Sequence, residues 1–201
     1  NEGDLKPNEV FIEEERIIEN IVRSLKPPVM EAGPGYGRIT KILVNRFNKV
    51  YLLEANPDFI DLLSEKFKDK VKFVDGTMES INSNMKFNSI LAFEVVVHTK
   101  LLGEFIGGVS RSLRKGGKFV SSLDNINSDW RRIRDRYKKI FGNKNPEYYR
   151  EIPLETYLKL LDENGLKVEK IYEVGKNYHV SIPVFGKEIT LPSFKKNKEP
   201  Y

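Results

Sequence analysis

A chain of 201 residues, 39% of them hydrophobic, suits one domain with a sizeable core, and no window holds the ~18 apolar residues needed to cross a bilayer. It has no cysteine and only two histidines, which excludes disulfides, thiolate catalysis and Cys-based zinc sites and argues against any metal centre. The net charge of +5 permits an anionic partner without demanding one, and the opening NEGDLKPNEV lacks the basic start and apolar core of a signal peptide, so a soluble cytoplasmic protein is expected.

In chain order, Phe11 to Leu25 carries a helical stripe of Ile12, Ile17, Ile18, Ile21, Val22 and Leu25, which Pro27 and Pro28 end. Residues 1–28 thus form an N-terminal helical segment. A first strand, Val29 to Ala32, runs into three alternating glycines, Gly33, Gly35 and Gly37, and a helix follows from Ile39 to Phe47. The second strand is Val50 to Glu54, and the next helix has Asn56 as its N-cap and Pro57 at its first position. Val71 to Val74, Ser89 to Phe93 and Lys118 to Leu123 read as strands three, four and five. Between the last two lies a helix over Leu101 to Leu113, with Gly116 and Gly117 expected to close it. This alternation of strands and helices predicts a parallel sheet covered on both faces.

After strand five the alternation breaks. The stretch WRRIRDRYKKIF has apolar residues at Trp130, Ile133, Tyr137 and Ile140, so one face of a helix packs and the other is basic. Residues 124–152 are read as an insertion covering the substrate, with Arg131, Arg134 and Lys138 able to select an anionic group and Tyr148 and Tyr149 able to line a pocket. Leu154 to Asn164 is helical again, with Gly165 as its C-cap. Val168 to Val174 and Tyr178 to Val184 form two strands joined by Gly175, Lys176 and Asn177.

The glycine loop holds the chemistry. Glycine lets the backbone turn sharply and lets a ligand lie where a Cβ would intrude. A strand-to-helix turn of this kind is where open α/β sheets bind nucleotide-like cofactors. The dinucleotide fingerprint is G-x-G-x-x-G, and here Arg38 occupies its third glycine position. The loop Glu31-x-Gly33-x-Gly35-x-Gly37 instead resembles motif I of the class I S-adenosylmethionine (SAM) dependent methyltransferases. The terminal pair of strands agrees with that family. The resemblance implies an α/β fold, a Rossmann-like, doubly wound seven-stranded sheet of order 3-2-1-4-5-7-6 with strand seven antiparallel, here as a single domain over 1–201.

The resemblance also implies a cofactor site. Glu31, Gly33, Gly35 and Gly37 supply the loop, and Glu54 with Ala55 closes the end of strand two, where an acid accepts ribose hydroxyls. NAD enzymes use such an acid as well, so an NAD-linked oxidoreductase stays open on Glu54 alone, and the loop spacing favours SAM. After strand three, relatives commonly read V-x-G-D-A, and this chain has FVDGTMESI. Aligned on Gly76, Thr77 and Met78 take the adenine-contacting places, and the acid, Asp75, precedes the glycine. FNSILAFEVVVHTK resembles the segment after strand four in the small-molecule branch, with Phe93 and Glu94 beside the methionine part of the cofactor and His98 where relatives often carry a histidine. RSLRKGG matches the L-x-P-G-G turn before strand five.

EAGPGYGRITKIL followed by YLLEANP also resembles the rRNA adenine dimethyltransferases, which carry an N-L-P-Y-type motif after strand four where this chain reads AFEVVV. The expectation is a methyltransferase acting on a small or medium-sized acceptor. RNA methylation is the alternative, and a SAM-fold protein that binds without catalysing is carried beside it. His98, Glu94 and Asp124 are the candidate bases, with no metal and no membrane partner expected.

Overall fold

The computed structural model describes residues 7–81, 84–123, 152–174 and 177–183. Helix α1 spans Pro7–Ser24 and buries Ile18, Ile21 and Val22, the stripe its sequence spacing lays along one face. β1 (Val29–Ala32) is buried along its whole length, as a central strand covered on both sides must be. α2 (Arg38–Arg46) follows the glycine loop, and β2 (Val50–Leu53) pairs parallel with β1. α3 (Pro57–Phe67) starts as its sequence prescribes. The Asn56 side chain accepts the Asp58 N–H at 2.9 Å, and Pro57 occupies a first-turn position whose N–H has no helical partner to lose.

β3 (Val71–Phe73) and β4 (Phe87–Ala92) extend the sheet, β3 against β2 and β4 on the other side of β1. α4 (Leu102–Ser112) leads directly into β5 (Leu113–Leu123). Here the expectation that Gly116 and Gly117 close the helix is corrected. The helix stops at Ser112, and the two glycines lie inside β5, where the pairing with β4 shifts register between Phe87 and Ser89. Gly116 has φ +75, and a Cβ on Gly117 would stand 2.9 Å from the Arg114 carbonyl oxygen, so the pair makes a bulge that only glycine fits. α5 (Leu154–Glu163) does end on a glycine. Gly165 at φ +73 lets its own N–H reach the Asp162 carbonyl and the Leu166 N–H reach that of Leu161.

The strands run in the order β3-β2-β1-β4-β5, all parallel, as the sequence alternation predicts. Beyond β5 the backbone pairs antiparallel with β7 (Asn177–Pro183), which in turn pairs antiparallel with β6 (Lys170–Val174). On one face α1, α2 and α3 pack Ile21, Leu43 and Leu63 against Val29, Leu52 and Leu91. On the other, α4 and α5 pack Phe105, Ile106 and Leu161 against Met30, Ile90 and Phe119. Each such buried side chain contributes about 1.5–3 kcal/mol, which is what holds the layers together. The chain leaves β1 toward β2 and later returns to its other side at β4, so a crevice opens over the C-terminal ends of β2, β1 and β4.

Candidate active site

At the end of β1 the chain turns through three glycines at positive φ, +67, +51 and +80 for Gly33, Gly35 and Gly37. Their surroundings differ. A Cβ on Gly33 would overlap Val95 and lie 2.9 Å from Met78 Cε, while one on Gly37 would lie 2.7 Å from Phe67 and 2.8 Å from Leu63. Those two glycines are demanded by packing. Gly35 has nothing within 4 Å of the place a Cβ would take, so its backbone borders open space. The loop is tied down by the Gly33 N–H to the Leu53 carbonyl at 2.9 Å and by the Gly37 N–H to the Pro34 carbonyl at 2.8 Å. Tyr36, at its tip, is exposed and meets Phe59 of α3 edge to face at 5.0 Å.

Two carboxyl groups flank the loop. Glu31 is buried within β1, and burial pushes its pKa up to about 7, against the opposing pull of the Thr40 hydroxyl and the Arg38 charge, while the Glu54 charge adds to the rise. The Thr40 hydroxyl donates to Glu31 Oε2 at 2.6 Å. Glu54 stands half-buried just beyond β2, and its Oε1 accepts the backbone N–H groups of Ala55 and Asn56, each at 2.9 Å. These two bonds hold the carboxylate at the lip of the crevice.

After β3 the chain turns sharply. Gly76, at φ +129, bridges Ile81, and Thr77 and Ser80 exchange backbone hydrogen bonds at 3.1 Å. Asp75 and Thr77 are exposed, whereas Met78 is half-buried with its methyl group beside Gly33. Of this segment, Met78 is thus the side chain the structure brings to the glycine loop. After β4, Phe93 is buried and Glu94 is exposed at φ +57, a conformation a non-glycine residue rarely adopts. The Glu94 N–H donates to Ser122 Oγ at 2.6 Å, which fixes that turn to β5. His98 is exposed at the end of a single 3-10 turn over Val96–His98, its N–H bonded to the Val95 carbonyl at 2.9 Å. Asp124 and the basic stretch through Tyr149 lie outside the described residues.

Sequence reasoning missed Arg38. It is the first residue of α2, at the positive end of the helix dipole, where a cation is disfavoured. Its guanidinium bridges Glu14 of α1 at 2.7 Å and Glu94 at 3.5 Å. A basic residue at a helix start was the available signal, and the loop pattern instead drew notice to what position 38 lacked. Ser122 gave no signal, because its role depends on the turn it meets.

Residues 30–121 match the family model described as a methyltransferase domain. An uncharacterized methyltransferase from Geobacillus sp. (strain WCH70) is 28% identical over 175 residues, 80% of this chain and 79% of that protein. Ribosomal RNA small subunit methyltransferase A from Clostridium botulinum (strain Loch Maree / Type A3) is 36% identical over 67 residues, 31% of this chain and 24% of that enzyme. The fold is similar to that of magnesium protoporphyrin IX methyltransferase (ChlM) from Synechocystis PCC 6803 with bound SAH, at a TM-score of 0.68 and 12% identity over 91% of this chain and 90% of that one. With the glycine loop at the end of β1 and Glu54 at the end of β2, the chain has the fold of the class I SAM-dependent methyltransferases and is similar to a methyltransferase domain over residues 30–121.

Proposed function

We propose that this enzyme methylates a small or medium-sized acceptor that enters beside Glu94. The turn after β4 carries this reading. The rRNA adenine dimethyltransferases that the glycine loop resembles have an N-L-P-Y-type motif there, and this chain has Phe93, Glu94 and Val95, with Glu94 at φ +57 and its carboxylate exposed. Extent of likeness supports it too, since the ribosomal relative is matched over 24% of its length and the Geobacillus protein over 79%. Arg131, Arg134 and Lys138 favour an anionic group on that acceptor.

The loop geometry fits an adenosyl cofactor. The open space over Gly35 suits close backbone approach, Glu54 supplies a carboxylate to accept ribose hydroxyls beside Ala55, and Met78 offers a polarisable thioether to an aromatic ring. Thr77 or Asp75 contacts the adenine, and Phe93 stands beside the methionine part. Glu31, held by Thr40, supports the loop from beneath. Bound SAM supplies a methyl group already activated by its sulfonium. The protein therefore contributes mainly geometry, holding the acceptor in line at roughly 3 Å, an effect worth several kcal/mol. Glu94, His98 and Asp124 are the candidate bases if the acceptor loses a proton during transfer. In this reading residues 1–201 are a single domain, 1–28 a helical segment and 124–152 a cover over the acceptor. The β6–β7 hairpin completes a class I sheet.

Incubation with methyl-labelled SAM and cell extract, with and without ribonuclease, tests the acceptor. Label in a low-mass fraction that survives ribonuclease is expected. Incorporation abolished by ribonuclease would establish RNA methylation instead, and no incorporation despite SAM binding would leave a binding protein.

A further inference from the structure

We propose, on the cofactor reading of the glycine loop given above, that Arg38 is a positioning residue that couples the docking of helix α1 to the cofactor cradle. Three observations meet at this side chain. Glu14, in α1, is 5% exposed, and its carboxylate lies 2.7 Å from Arg38 Nη1. Arg38 itself directly follows Gly37, the last glycine of the loop. Its second nitrogen, Nη2, lies 3.5 Å from Glu94 Oε1, on the turn whose next residue, Val95, fills the space a Gly33 side chain would need.

The Arg38 side chain, rooted at the start of α2, therefore reaches the helix α1 and the turn after β4 at once. A planar fork with separate nitrogens can serve two carboxylates, and a lysine at the same place would serve one. Its position explains the oddity of a cation at a helix N-terminus, since the two acids offset the unfavourable dipole. Glu94 needs such support. At φ +57 its backbone is strained, and the structure holds it there through Ser122 Oγ on one side and Arg38 on the other. Releasing Arg38 from α1 frees the guanidinium to shift, the turn loses a restraint, and Val95 no longer presses on Gly33. In this way Glu14 acts on cofactor affinity from a helix that supplies none of the cradle's loops.

Calorimetric titration with S-adenosylhomocysteine tests the coupling, using Glu14→Met, Arg38→Met, Arg38→Lys and the double variant Glu14→Met/Arg38→Met. Glu14→Met replaces a buried carboxylate with an apolar chain of similar volume, so the protein is expected to fold even where Arg38→Met, which strips the cation from a buried acid, does not. Glu14→Met should weaken binding about fivefold or more, and Arg38→Lys should fall between it and the wild type. The double variant should bind no worse than Arg38→Met, because both changes cut the same link. Where Arg38→Met does not fold, the double variant is compared with Glu14→Met/Arg38→Lys. Hydrogen exchange gives a readout that loosening of the helix alone would not move. Bound S-adenosylhomocysteine should slow exchange across Pro7–Ser24 in the wild type and leave it unchanged in Glu14→Met. A Glu14→Met protein that binds within twofold of wild type overturns the coupling, as do losses that multiply in the double variant. Gly35→Ala separates the two readings. If it binds S-adenosylhomocysteine as the wild type does, the cofactor reading of the loop falls instead.

Discussion

Glu31 shows how one buried residue ties stability to acidity. Its carboxyl group sits inside β1, sealed from water and held by the Thr40 hydroxyl at 2.6 Å. Burial raises its pKa from 4.5 to about 7, despite that hydrogen bond and the nearby Arg38 charge. Between these two values the folded protein keeps a proton that the unfolded chain has released. Folding stability therefore falls as pH climbs from about 4.5 to about 7 and levels off above that. Glu31→Gln keeps the shape and an acceptor for Thr40 while removing the ionisation. It should be more stable than the wild type by about 2–3 kcal/mol at pH 8 and nearly equal to it at pH 4.5. Urea unfolding at the two pH values checks this, and parallel pH dependence in both proteins would show that Glu31 is not the titrating group. Tyr157 gives a smaller case. Its hydroxyl is buried 2.8 Å from Ser121 Oγ, and burial raises its pKa so far that it stays neutral. Tyr157→Phe should cost about 1–2 kcal/mol in the same assay, since it leaves the buried Ser121 hydroxyl without that partner.

At the scale of elements, the glycine loop separates packing from binding. Gly37→Ala places a methyl group 2.7 Å from Phe67 and 2.8 Å from Leu63 at a φ of +80, so it should lose about 2–4 kcal/mol of stability from strain and overpacking together. Gly35→Ala meets no atom within 4 Å and pays only for its φ of +51, about 1–2 kcal/mol, yet its methyl group projects into the space assigned to the cofactor. It should fold and bind S-adenosylhomocysteine at least about tenfold more weakly, an outcome that denaturant unfolding and calorimetry read separately. The positions of such elements were legible where local chemistry decides them. β1 falls at Val29–Ala32 as its apolar run predicts, and the Asn56-Pro57 start of α3 holds to the residue. The boundary between α4 and β5 was not, because Gly116 and Gly117 suit a helix end and a strand bulge equally well, and only the pairing with β4 chooses. The Glu14, Arg38 and Glu94 bridge was hidden for a similar reason. Its members are 24 and 56 residues apart, and no local pattern joins them.

For the molecule as a whole, the scaffold and the acceptor are separate matters. The two-faced sheet holds three strand ends, β2, β1 and β4, side by side, and the loops leaving them form the proposed donor site. Among the described residues no helix is long and apolar enough to cross a membrane. A ligand that engages those loops must bridge segments spread from Gly33 to Glu94, so it binds only the folded chain and stabilises all of it at once. Linkage fixes the size of that effect. At a hundred times its dissociation constant a ligand adds about 2.7 kcal/mol, and a domain of this length gains roughly 2–4 °C in Tm per kcal/mol. S-adenosylhomocysteine should therefore raise Tm by about 5–10 °C, whereas NAD, whose binding fingerprint packs helix against strand through a third glycine where this chain has Arg38, should leave it unchanged at the same concentration. Scanning calorimetry with each ligand decides between them. A shift with NAD and none with S-adenosylhomocysteine would reassign the glycine loop to a dinucleotide.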